Sequence, residues 1–179
     1  LPFAAKKSFD LPYLKACYAP FTYTGPVASA LHRLKFSKKP PYAKPLARFM
    51  AECLPQDLQA DFVTFVPISP KRKKERGFDQ SEELARHVAS LLGLPLAETL
   101  VKTLENRRQS SLPASLRKGN VIGVYEPAKT FPFGKGQKFL LIDDIVTTGA
   151  TLSEAAKTLL FAGAESVTGL AAAKTAQKH

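Results

Sequence analysis

The chain of 179 residues, 45% hydrophobic and 23% charged, has the size of about one domain and the composition of a globular protein, which excludes a disordered or low-complexity chain. No apolar stretch approaches a membrane span, the opening LPFAAKKSFD lacks the apolar core of a signal peptide, and two cysteines are too few for a disulfide framework or a four-ligand zinc site, so a reducing cytoplasm is the expected compartment. The formal net charge of +11 favours a polyanionic partner, whether a sugar polyphosphate, a nucleic acid or an anionic membrane surface, and does not choose among them.

Residues 1–24 hold Tyr13, Tyr18, Phe21 and Tyr23 among prolines without a clear period, and read as an irregular arm or a short strand pair. Gly25 and Pro26 then open a helix with Val27, Ala30, Leu31 and Leu34 on one face, closed by Lys35 and Phe36. A second helix is signalled by Pro45, followed by Leu46, Phe49, Met50 and Cys53 at helical spacing. His32 stands alone on its helix and reads as a partly exposed packing residue rather than a ligand.

The run DFVTFVPI, Asp61 to Ile68, is a β-rich apolar strand, and a basic stretch of Lys71, Arg72, Lys73, Lys74 and Arg76 follows it directly. As a bland feature this is a solvated basic turn; as a functional one it contacts a polyanion. Its position favours the second reading. A helix patterned Leu84, Val88, Leu91, Leu92 with Gly93 as its stop comes next, so the cations occupy a strand-to-helix crossover, the edge at which parallel α/β sheets bind ligands. Between Thr103 and Asn120 lies a polar, cationic segment, too long for an ordinary turn, which reads as a functional lid or a basic tether. Val121 to Tyr125 forms a further strand, and Gly134 and Gly136 turn the chain into Phe139.

The stretch FLLIDDIVTTGAT, Phe139 to Thr151, carries the most chemistry. Phe139 to Ile142 is an unbroken apolar run, as in a strand buried on both faces, and the acids Asp143 and Asp144 are expected where that strand leaves the sheet. Ionised carboxylates only accept hydrogen bonds, so the pair suits vicinal hydroxyls or a hard divalent cation. The residues that follow reverse that sense: Gly149 lets the backbone bend toward a ligand, and the hydroxyls of Thr147, Thr148 and Thr151 join helix N-terminal amides as donors for an anion. Acids for a sugar followed at once by donors for a phosphate describe a site for a phosphorylated sugar. An ordinary buried strand with one acid capping the next helix would carry a similar pattern. Leu152, Ala155, Ala156, Leu159 and Leu160 continue as the crossover helix, Gly163 stops it, and Val167 to Ala173 is a last small-residue strand. The alternation predicts an α/β fold, a mostly parallel sheet flanked by helices.

The thirteen residues from Phe139 to Thr151 resemble the phosphoribosyl pyrophosphate (PRPP) motif of type I phosphoribosyltransferases without a departure. The string VPISPKRKKERGFDQSEELA, with YTGPVASALHRLKF and PLARFM upstream, is similar to the competence protein F (ComF) family of that fold, over roughly Ala16 to Thr175. The resemblance implies roles residue by residue. Asp143 and Asp144 would hold the ribose hydroxyls and, with substrate oxygens, Mg²⁺; Thr147, Thr148, Gly149, Ala150 and Thr151 would hold the 5'-phosphate. Ser69, Lys71, Arg72 and Arg76 would meet the pyrophosphate, although the family usually has histidine where this chain has Ser69. Arg107, Arg108, Gln109 and Arg117 would belong to a mobile lid, in which Leu112 and Asn120 also match the ComF pattern. Residues 25–179 would form the phosphoribosyltransferase domain, and residues 1–24 an arm left from a region where family members carry a four-cysteine zinc ribbon. The implied function is transfer of a phosphoribosyl group to an unidentified acceptor with release of pyrophosphate, in the cytoplasmic handling of imported single-stranded DNA beside other competence proteins. The rival is a non-catalytic nucleic-acid-binding adaptor on the same scaffold. The oligomeric state is left open.

Overall fold

The structure, a computed structural model, describes residues 8–36, 42–103 and 123–176. Its centre is a parallel sheet built on two long strands, β6 (Lys138–Val146) and β7 (Ser166–Lys174), in which most residues are buried. Strand β3 (Phe62–Phe65) pairs with the outer side of β6, while β1 (Ala16–Tyr18) and β2 (Phe21–Thr22) both pair with β7, giving the order β1-β7-β6-β3 with β2 beside β7. The two short N-terminal strands therefore do form, but each joins the last strand of the fold in parallel rather than pairing with the other.

Consecutive residues of β6 point to opposite faces, so its apolar run feeds two cores at once. Leu140 and Ile142 pack with α1 (Gly25–Phe36), α2 (Ala43–Glu52) and α4 (Gln80–Leu92), through Leu31, Leu34, Leu46, Met50, Leu84 and Val88. Phe139 and Leu141 pack on the other face with α5 (Ala150–Phe161), through Leu152, Ala155, Ala156 and Leu159. The helical apolar spacings read from the sequence are the faces that turn inward, with one exception: Leu91, included in the α4 pattern, is 51% exposed.

Two segments depart from expectation. The basic stretch is a short helix, α3 (Pro70–Arg76), capped by Ser69, whose Oγ accepts from the Arg72 amide at 3.4 Å, and closed by Gly77 at φ 82°. Pro70 stands at a position where its missing N–H costs nothing. The helix buries none of its side chains and so leaves no apolar period to read. The second departure is an antiparallel ribbon of β4 (Leu100–Lys102) and β5 (Tyr125–Pro127), separate from the main sheet. Of the strand expected over Val121 to Tyr125, residues 121 and 122 lie outside the described residues; the described strand lies at Tyr125–Pro127, and its partner had no signal of its own.

Candidate functional site

Strand β6 does not end at the acids, as the sequence reading had it. It continues to Val146 because β7 keeps supplying partners, Asp143 opposite Ala171, Ile145 opposite Ala173 and Val146 opposite Lys174. On its other side β3 stops at Phe65, opposite Ile142. Beyond Ile142 the strand therefore has one neighbour instead of two, and Asp143 and Asp144 occupy the first residues of that half-partnered stretch.

The two acids are not equivalent. Asp143 is 7% exposed; its Oδ1 accepts from Ser81 Oγ at 3.3 Å, in the first turn of α4, and from the Asp144 amide at 2.8 Å. Burial, then the adjacent charge of Asp144, holds the Asp143 carboxyl well above the usual carboxylate range. Asp144 is half-buried, and its Oδ1 accepts from the Ile145 amide at 2.7 Å. It is the outer of the pair.

Past Val146 the chain turns through Thr147 and Thr148, both exposed, into α5. Gly149 caps that helix at φ 82°, a conformation that disfavours any side chain, and an added Cβ there would collide with Leu11 from the N-terminal segment. Thr148 Oγ1 accepts from the Ala150 amide at 3.3 Å, and among the described residues the amides of Thr151 and Leu152 donate to no protein acceptor. The first turn carries no acid. Free amides at the positive end of a twelve-residue helix, with threonine hydroxyls beside them, form a cradle for an anion. A cleft of about 330 Å³ adjoins this loop, lined by Phe9, Asp10, Leu11, Thr147, Thr148 and Lys174 among others.

The cations divide. Lys71, Arg72 and Lys74 are exposed on α3 and Arg76 is half-buried, whereas Lys73 is held by Glu82 of α4 at 2.8 Å. Ser69 is 3% exposed, and its hydroxyl is engaged as the helix cap. Asp79 anchors the crossover: its carboxylate accepts from the amides of Ile68, Ser81 and Glu82. One cation went unread in the sequence. Lys102, at the end of β4, is half-buried with its ammonium 5.6 Å from the centre of the Tyr125 ring, and it makes no ion pair among the described residues. Its pKa is lowered by burial and then by the charge of Arg72, with Asp143 and Asp79 acting in the opposite direction, so Lys102 shares one electrostatic neighbourhood with the acids and with α3. A half-buried ammonium with no ion pair among the described residues is suited to meet an anion. Only the pairing of β4 with β5 brings it there, and no local pattern in LVK announces that. Arg107, Arg108, Gln109 and Arg117 lie outside the described residues.

A mostly parallel sheet flanked by helices, with an acid pair, an open helix N-terminus and a basic crossover following its strands, sets the fold class, and residues 76–178 match the phosphoribosyl transferase domain, the family to which the chain belongs. Within that family it is similar to proteins of the competence protein F group. It is 36% identical over 148 residues to competence protein ComFC of Streptococcus pneumoniae, covering 82% of this chain and 63% of that protein. It is 32% identical over 152 residues to DNA utilization protein YhgH of Salmonella typhi, covering 81% and 66%. Competence protein F of Haemophilus influenzae is 28% identical over 155 residues, with the same two coverages of 81% and 66%. The chain thus spans slightly under two thirds of the length of these relatives. Among solved structures, an allosteric regulatory enzyme of purine biosynthesis (TM-score 0.56, 22% identity, 79% of this chain and 30% of that one) has a similar fold. So does the glutamine PRPP amidotransferase of B. subtilis (TM-score 0.54, 22% identity, 78% and 30%).

Proposed function

We propose that this sheet edge binds PRPP and that the chain is a phosphoribosyltransferase of the competence protein F type, passing the phosphoribosyl group to a nucleophile and releasing pyrophosphate. The observation that carries the reading is the set of groups at the carboxyl ends of the strands: acids on the half-partnered stretch of β6, open amides on α5, and Lys102, whose ammonium is influenced by both Arg72 and Asp143. Asp144, the outer acid, accepts from the ribose hydroxyls, and Asp143 supports it from below. Thr147 to Thr151 hold the 5'-phosphate with hydroxyls and amides. Arg72 and Lys102, with Lys71 and Arg76, take the pyrophosphate; Ser69 contributes by capping the helix that presents three of these cations.

Cleavage of the bond between the anomeric carbon and pyrophosphate leaves positive character on the sugar and negative charge on the leaving group, as in other glycosyl transfers. The protein's share is positioning and charge neutralisation: acids near the sugar, cations near the departing phosphates. Magnesium fits the donor set. Two carboxylates cannot enclose an ion, and among the described residues no group of three or more His, Cys, Asp or Glu side chains would hold one. That suits Mg²⁺, which takes one or two carboxylates and completes its shell with substrate phosphates and water. When bound it would neutralise pyrophosphate charge.

The relatives' names, competence protein and DNA utilization protein, support a setting in competence or DNA use; in this reading the reaction serves the handling of imported single-stranded DNA beside other competence proteins in the cytoplasm. The test is a calorimetric titration of Mg-PRPP into the chain and into Asp144→Ala. The expected result is loss of at least about tenfold in affinity, roughly 1.4 kcal/mol, with an unchanged melting temperature. Wild-type affinity in the variant would remove Asp144 from the site.

A further inference from the structure

Three consecutive polar side chains, Asp79, Gln80 and Ser81, are buried where α4 begins. Two of them are accounted for. Asp79 accepts from the amides of Ile68, Ser81 and Glu82, and Ser81 donates to Asp143 at 3.3 Å. Gln80 differs: its Nε2 is shut off from solvent without a hydrogen-bond partner, the one buried side-chain nitrogen or oxygen among the described residues in that condition. A donor stranded in this way weakens the fold, because the bonds it made to water in the unfolded chain are not replaced.

Packing does not explain the choice. Gln80 stands one and two helical turns before Leu84 and Val88, which pack in the core formed with Leu140 and Ile142. Methionine, of similar length, would extend that stripe and strand nothing. A polar residue kept where an apolar one would serve the fold better marks a place where function overrides stability. Its position indicates which function. Only Gly77, Phe78 and Asp79 separate Gln80 from the basic helix α3, and on its other side Ser81 touches Asp143. Asp79 and Asp143 both act on the Lys102 ammonium. The stranded amide thus belongs to the stretch of chain that joins the basic helix to the acid pair.

We infer that Gln80 is a further substrate-contacting residue of the PRPP site, its side-chain amide turning to donate to a pyrophosphate oxygen when ligand is bound. The inference rests on the PRPP reading above and adds a neutral donor to it. Ionised phosphate oxygens only accept hydrogen bonds, so they match an N–H that lacks an acceptor, whereas ribose hydroxyls find acceptors in the acids. An uncharged amide also adds a contact without adding to the repulsion among the cations gathered for the same ligand. Asp79 and Ser81 anchor the helix end on either side, so the side chain can swing while the backbone stays in place. Binding then supplies the missing acceptor, and what the free protein lost in stability returns as affinity.

The experiment compares Gln80→Met and Gln80→Glu with wild type by thermal melting without ligand and by calorimetric titration with magnesium pyrophosphate and, separately, ribose 5-phosphate. Gln80→Met is expected to melt about 2–4 °C above wild type. It should bind pyrophosphate about tenfold more weakly, with ribose 5-phosphate affinity unchanged. Gln80→Glu, which puts a carboxylate where the donor stood, should lose more pyrophosphate affinity than Gln80→Met. A merely structural glutamine would reverse the sign of the melt, and a lower melting temperature in Gln80→Met would overturn the assignment. Wild-type pyrophosphate affinity in that variant would overturn it as well. Failure of the PRPP reading has a different signature: wild type itself would bind neither ligand, and the role of Gln80 would fall with it.

Discussion

Asp143 is a carboxyl group placed where ionisation is resisted, and its linkage to stability has a definite sign. Its folded pKa is raised from the ordinary 3.8 by burial and by Asp144, so the native state holds the proton more tightly than the unfolded chain. The stability this confers is complete below 3.8 and is lost as pH rises through the raised value. Asp143→Asn, which cannot ionise, should therefore melt at a higher temperature than wild type at alkaline pH, with a gap that closes on acidification. A gap independent of pH would contradict that charge state. Gly149 gives a second prediction at this scale. Gly149→Ala meets both a left-handed backbone and the Leu11 side chain, and should destabilise by about 2 kcal/mol or more in a denaturant titration. Adding Leu11→Ala should recover the steric part, leaving about 1 kcal/mol for the backbone, whereas strictly additive losses would show that Leu11 does not press on the loop. Neither effect was legible in the sequence. Gly149 could be read as a bend, but Leu11 lies far from it along the chain, and Asp143 and Asp144 look alike until Ser81 is found bonded to only one of them.

Among the elements, α3 shows what a sequence reading registers and what it passes over. Charge drew attention to Lys71–Arg76, and the absence of an apolar period made the segment look like a loop. The end signals were nevertheless present: Ser69 before Pro70, and Gly77 after the last turn. A seven-residue helix has little stability of its own and depends on such ends, together with the Lys73–Glu82 bridge to α4. Ser69→Ala should cost about 1 kcal/mol and speed amide exchange at Arg72 and Lys73, while exchange in α4 stays slow. Exchange unchanged in α3 would mean that the cap is dispensable. The β4–β5 ribbon lies at the opposite extreme. Three residues, Leu100–Lys102, gain their meaning only from a partner more than twenty positions away, and Lys102 enters the site with them. Lys102→Met should weaken binding of pyrophosphate by about tenfold and leave ribose 5-phosphate unaffected, a difference that a purely structural role would not produce.

For the whole molecule, the parallel sheet and its two cores followed from period and apolar content, because β6, β7, α1, α2, α4 and α5 each carry a face that must be buried. What hydrophobic pattern does not encode is where strands stop relative to their neighbours. The half-partnered stretch arises because β3 ends at Phe65 while β7 runs on to Lys174, leaving β6 with one strand neighbour beyond Ile142. The N-terminal strands add to this frame by pairing with β7, and Phe9, Asp10 and Leu11 line one cleft with Thr147 and Thr148, so a segment that reads as an arm borders the turn into α5.

The most direct measurement is a crystal structure of the chain soaked with magnesium and PRPP. The 5'-phosphate should lie on the amides of Thr151 and Leu152, the ribose hydroxyls against Asp144, and the pyrophosphate between Arg72 and Lys102. An empty edge under saturating ligand, or a sugar phosphate bound away from the acids with its pyrophosphate out of reach of both cations, would contradict the site.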